Sequence, residues 1–315
     1  AETGLFRAYP PAGVILFSRN VEDPAQLAAL TGSLRDVLPD GAVLMVDQEG
    51  GRVARLTPPH WRAHPPAARI GRLHETDRDA GRRAAWLTGA LIGLECAEAG
   101  FDVVAAPVLD RRVAGASDAI GDRAYAEDPE VVGLLGAAMA EGLLAAGIQP
   151  VAKHAPGHGR AQVDSHLELP RIETADLDAD IRPFAINRAL PWAMTAHILY
   201  IALDAERPAT LSPTIIGNVI RERIGFAGVL TTDDLAMGAL SGEPAARTVA
   251  AVAAGCDLAL FCSGEFDATA SVLAACPELA PAAAARMRAG ADLARARRQP
   301  LDAAALAAER EQLLA

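Results

Sequence analysis

Aromatic side chains are scarce in this 315-residue chain, at 4%, and only four cysteines occur. Cys96, Cys256, Cys262 and Cys276 show no Cys-x-x-Cys spacing and have no histidine close by in sequence, which argues against a zinc knuckle and against a disulfide framework. Buried, reduced thiols are the expectation. Basic residues are also short, 29 Lys and Arg against 40 Asp and Glu, for a formal net charge of −11. A phosphate backbone calls for a basic face, so no nucleic-acid partner is expected and a small neutral or amphipathic ligand fits better. Every apolar run is too short to span a bilayer. The first residues, "AETGLFRAYPP", carry neither the basic start nor the apolar stretch of a secretory signal. No membrane association and a cytoplasmic address are therefore expected.

What the chain does have is hydrophobic bulk. Half of it, 51%, is hydrophobic and 22% is charged, the composition of a globular protein with a large core. Short runs rich in Val, Ile and Leu recur: "GVILF" (13–17), "AVLMV" (42–46), "FDVVAAPVL" (101–109), "QPVAK" (149–153), "WAMTA" (192–196), "GVLTT" (228–232) and "DLALF" (257–261). Continuous rather than alternating hydrophobicity marks strands buried on both faces. Between them lie helical patterns such as "DPAQLAALTGSLRDVL", "DPEVVGLLGAAMAEGLLAAG" and "SPTIIGNVIRERIG", opened by Asp-Pro or Ser-Pro and closed, in the latter two, by Gly. The alternation predicts a (β/α)8 TIM-type barrel in one domain, residues 1–315. Seven strands are legible. The eighth is expected before Ala1, because "AETGLFRAY" reads as the tail of a helix entering the first run. Neither repeat nor linker interrupts the rest, and "TPPHWRAHPPAARIGRL" (57–73) is expected to be a long, functional loop.

Polar residues gather where the strands end, and in such barrels the C-terminal strand ends carry the active site. The densest cluster is "KHAPGHGRAQVDSH", Lys153 to His166, holding three of the seven histidines. His154, His158, His166 and Asp164 include the residue types that ligate zinc, but Pro156 and two glycines prevent a helix from presenting the first two histidines on one face. The Gly-His-Gly segment lacks the Lys-Ser/Thr of a phosphate loop. Neither a metal nor any other cofactor is expected. Of the adjacent Asp233 and Asp234, strand alternation lets only one face the barrel axis; the other is expected to cap a helix at "LAM".

In order, "GVILFSRN", "VDQEGGRVARL", "KHAPGHGRAQVDSH", "MTAHILY", "PATLSPTIIGNVIRERIGFAGVLTTDDLAM" and "AGCDLALFC" resemble the family-3 glycoside hydrolases. The likeness is greatest to the single-domain bacterial β-N-acetylglucosaminidases that recycle peptidoglycan fragments. That resemblance implies Asp233 as nucleophile of a retaining reaction with a covalent glycosyl intermediate, and His166 with Asp164 as acid/base pair. Such a pair makes chemical sense, since a neighbouring carboxylate favours the imidazolium that must protonate a leaving oxygen. It also implies Asp47, Arg55, Arg123, Lys153 and His154 as contacts to N-acetylglucosamine, with Glu49 and Arg52 behind them. His158 is expected to build the loop, and His197 either to line the pocket floor or to sit buried with a backbone partner.

Two departures from the family pattern, Ala155 and "TTDD", remove no reacting group. The expected partner is a small sugar substrate of the N-acetylglucosaminyl-anhydromuropeptide type, acted on by a monomer. The alternatives are an N-acetyl-β-glucosaminide phosphorylase, because a histidine acid/base does not repel phosphate as a carboxylate does, and a β-glucosidase of the same family.

Overall fold

The computed structural model describes all 315 residues. Helix α1 (Glu2–Ala8) leads into β1 (Gly13–Leu16), and α2 (Pro24–Arg35) follows before β2 (Val43–Val46). Then come α3 (Ala67–Thr76), α4 (Arg78–Glu98), β3 (Val103–Val104), α5 (Pro129–Ala145), β4 (Gln149–Ala155), β5 (Arg171–Ile172) and α6 (Asp178–Ile186). The second half holds β6 (Trp192–Thr195), β7 (Leu199–Tyr200), a π-helix (Ile215–Arg223), β8 (Val229–Asp234), α7 (Pro244–Ala254), β9 (Leu258–Leu260), α8 (Phe266–Ala275), α9 (Pro281–Arg297) and α10 (Ala303–Leu314). Helix starts follow local chemistry. Asp23 and Asp128 accept the main-chain N–H of Gln26 and Glu130 at 2.9 and 2.8 Å, each just before a proline whose fixed φ suits the first helical turn.

Seven strands form one parallel sheet in the order β1-β2-β3-β4-β6-β8-β9. The sheet curls into a barrel. One apolar cluster joins Ile15, Met45, Val103, Val151, Met194, Val229 and Leu258, a residue from every strand of that sheet. At the rim, the Arg19 guanidinium after β1 donates to the Cys262 carbonyl after β9 at 3.0 Å, so the loops beyond the two outer strands meet. Met287 of α9 joins the interior cluster, while Arg286 of the same helix pairs with Asp257 just before β9 at 2.6 Å. Helix α9 thus closes the N-terminal mouth, and the opposite mouth is left for chemistry.

Several local expectations need correction. The run 101–109 supplies only a two-residue strand, because Pro107 has no N–H for the ladder; Lys153 N–H still donates to its carbonyl at 3.2 Å. The segment 57–73 is not one long loop, since α3 begins at Ala67. "LAM" is a turn and not a helix, α7 starting only at Pro244, and the "SPTIIGNVIRERIG" helix is of π type. A small parallel pair, β5 with β7, lay outside the reading of the sequence.

Candidate active site

The open mouth of the barrel holds a cleft of about 420 Å³, within the usual size for a small-molecule site. Asp47, Arg55, Arg123, Lys153, His154, Asp164, His166 and Asp233 all line it, so the eight singled-out residues converge on one place. Glu49, Arg52 and Asp234 line it too.

One wall is a buried charge network. Lys153 Nζ lies 2.9 Å from Asp47 Oδ1 and 2.6 Å from Glu49 Oε1. Arg55 pairs with the other Asp47 oxygen at 3.0 Å, and Arg123 grips Glu49 through two hydrogen bonds of 2.8 Å. The turn that returns Arg55 to the cleft needs Gly50 at φ +100° and Gly51 at φ +58°, a region other residues rarely adopt. Burial pushes both carboxylates up, but the adjacent cations outweigh it and hold Asp47 and Glu49 below the usual range. Lys153 responds in kind: burial opposes its charge, and Asp47 and Glu49 more than restore it. Three cations against two carboxylates leave this wall with one surplus positive charge.

Strand alternation should send Lys153 and His154 to opposite faces, yet both line the cleft. The β4–β6 pairing slips between Lys153 and Ala155, and such an irregularity re-aims a side chain. The same correction applies to Asp233 and Asp234, which both line the cleft because β8 slips against β9 between Thr231 and Asp234. Their environments nevertheless differ. Burial raises Asp233, but His154, His197, the Asp234 N–H and Lys153 together bring it down to about 2. Asp234 is raised, chiefly by burial, and its Oδ1 accepts the N–H groups of Ala236 and Cys262 at 2.8 and 2.9 Å. Asp233 is thus held ionised well below pH 7, and Asp234 ties together the loops after β8 and β9.

His166 and Asp164 form a local pair, with Nδ1 to Oδ1 at 2.8 Å; their side chains are 67% and 39% exposed. His158 is buried instead. Its Nε2 meets Ser165 Oγ at 2.9 Å, and burial pushes its pKa down to about 4, so it is neutral near pH 7. His197 lies beneath Asp234, donating from Nε2 to that residue's carbonyl at 2.9 Å, while the Thr210 hydroxyl contacts Nδ1 at 2.7 Å. It is the buried histidine with a backbone partner rather than a lining residue. Arg52 reaches outward to Asp122 at 3.1 Å.

Asp110 was not singled out in the sequence. This carboxylate, 1% exposed, binds His154 Nδ1 at 2.7 Å and accepts the His158 N–H at 2.6 Å. Its signal was available, since it follows the third apolar run as Asp47 follows the second.

Residues 5–289 match the N-terminal domain of glycosyl hydrolase family 3. The chain belongs to that family. It is a glycoside hydrolase. A beta-hexosaminidase of Methylococcus capsulatus (strain Bath) is 43% identical over 86% of this chain and 81% of its own length. One of Aromatoleum aromaticum is 38% identical over 88% and 79%. Among solved structures, NagZ from Neisseria gonorrhoeae in complex with N-trifluoroacetyl-D-glucosamine superposes with a TM-score of 0.87 at 30% identity, covering 100% of this chain and 95% of that one. The family's barrel and the seven-stranded parallel sheet here are the same fold.

Proposed function

We propose that this glycoside hydrolase is a retaining exo-β-N-acetylglucosaminidase. It removes terminal N-acetylglucosamine from peptidoglycan-derived muropeptides, acting as a one-domain cytoplasmic monomer. The observation that carries the reading is the pairing, across one cleft, of a buried carboxylate held ionised at about 2 with an imidazole–carboxylate dyad on the rim. Asp233 attacks the anomeric carbon as His166 gives its proton to the departing oxygen, leaving a glycosyl ester. The neutral imidazole then takes a proton from water, which attacks the same carbon and frees Asp233. Asp164 orients the imidazole through its 2.8 Å contact with Nδ1. Asp47, Arg55, Arg123, Lys153 and His154 hold the sugar hydroxyls and the N-acetyl group. Charged groups suit that task, because a sugar lacking the matching hydroxyl strands them unpaired. Arg55 supports this role with a buried Nε that has no partner in the protein.

The test is hydrolysis of 4-nitrophenyl N-acetyl-β-glucosaminide beside 4-nitrophenyl β-glucoside, with and without inorganic phosphate. Preference for the first, releasing free N-acetylglucosamine whether or not phosphate is present, supports the reading. Preference for the glucoside, or release of the sugar 1-phosphate, replaces it with one of the two alternatives.

A further inference from the structure

The dyad of Asp164 and His166 is too exposed for its own packing to fix it, yet its backbone is held at two points. Between the two exposed residues stands Ser165, only 3% exposed. Its hydroxyl meets His158 Nε2 at 2.9 Å, and His158 is in turn fixed by its main-chain N–H on Asp110 at 2.6 Å. The second point is the turn after β8. There Ala239 N–H donates to the Ser165 carbonyl at 3.2 Å and Gly238 N–H to the His166 carbonyl at 3.1 Å. Gly238 and Ala239 stand five and six residues after Asp233, so the two proposed reacting groups are joined by main-chain hydrogen bonds.

Gly238 leaves room for this docking. A Cβ there would lie 2.8 Å from both the His166 and the Leu167 carbonyl oxygens, closer than real contacts allow. Its φ lies outside the left-handed region. Alanine is thus compatible with the turn's own backbone and incompatible with the loop resting on it.

We infer that Ser165 and Gly238 are positioning residues for proton transfer. The Ser165–His158 contact and the small residue at 238 set where the imidazole of His166 stands relative to Asp233, and neither touches the substrate's reacting atoms. The inference rests on the reading of His166 as acid/base. Positioning of this kind predicts a loss that depends on how much the leaving group needs a proton.

The experiment measures kcat/KM on 2,4-dinitrophenyl and phenyl N-acetyl-β-glucosaminide for Ser165→Ala, Ser165→Thr and Gly238→Ala, alone and combined with His166→Ala. For Ser165→Ala and Gly238→Ala the phenyl substrate should slow about tenfold or more while the dinitrophenyl substrate changes less than about twofold, since a good leaving group departs without protonation. Ser165→Thr, which keeps the hydroxyl, should restore most of the activity. In the His166→Ala background neither substitution should cost anything further, because residues acting as one unit are not additive. Equal losses on both substrates, or a further loss in the His166→Ala background, would overturn the inference and leave a merely structural role. Should Gly238→Ala not fold, Ser165→Ala against Ser165→Thr decides alone. His166→Ala by itself separates the two levels: if it shows no leaving-group dependence, both readings fall, and if it does while the anchors do not, only the positioning role falls.

Discussion

Lys153→Met removes one charge from the most heavily ionised wall of the cleft while keeping most of the side chain's bulk. Lys153 is 3% exposed in its side chain and bridges Asp47 and Glu49 at 2.9 and 2.6 Å. Breaking a buried pair by removing one partner costs about 3 to 5 kcal/mol. Here Asp47 retains Arg55 and Glu49 retains Arg123, so the lower end, about 3 kcal/mol, is expected. At roughly 2 °C per kcal/mol for a chain of this size, the melting temperature at pH 7 should drop by about 6 °C. The pH dependence checks the cause. In the wild type, Asp47 and Glu49 sit below their unfolded pKa values. The stability they add is present above those values and is lost as pH falls through the folded ones. Without Lys153 the same carboxylates take up protons at a higher pH, which relieves the variant as the solution is acidified. The gap between wild type and variant, read by calorimetry, should therefore narrow from pH 7 to pH 5. A gap that is absent at pH 7, or that widens on acidification, would refute the reasoning.

Other consequences are as direct. Arg55→Ala should lower kcat/KM for 4-nitrophenyl N-acetyl-β-glucosaminide by about 2 to 5 kcal/mol of transition-state binding; an unchanged value would move the sugar subsite elsewhere. His158 folds with a pKa near 4, below that of an unfolded histidine. Its contribution to stability is complete above about pH 6.5 and falls by roughly 3 kcal/mol as pH drops toward 4, at about 1.4 kcal/mol per unit. The variant His158→Asn should lack that slope in urea titrations across the same range, and a slope identical to wild type would locate the titration in another group.

The barrel was legible because its inner strands are buried on both faces, and "GVILF", "QPVAK" and "GVLTT" announce themselves as largely apolar runs. The site residues were legible because they follow those runs directly, as Asp47, Lys153 and Asp233 do. Geometry that depends on register was not. Strict alternation denies Lys153 with His154, or Asp233 with Asp234, a shared face, and the pairing of β4 with β6 and of β8 with β9 is irregular at those positions. Long-range partnerships were equally hidden. Asp110 reads as a loop residue until the fold brings it under His154 and His158, and nothing in a stretch of alanines and arginines marks Met287 as the plug of the barrel.

The central claim is that Asp233 attacks the sugar. Incubation with a fluorinated slow substrate, which glycosylates the nucleophile faster than water removes the sugar, followed by peptide mass spectrometry, tests it most directly. The account predicts one added glycosyl mass on the peptide containing Asp233, abolished by Asp233→Ala and retained in Asp234→Asn. A label fixed on Asp234, or full turnover with no glycosylated peptide at any time, would contradict it.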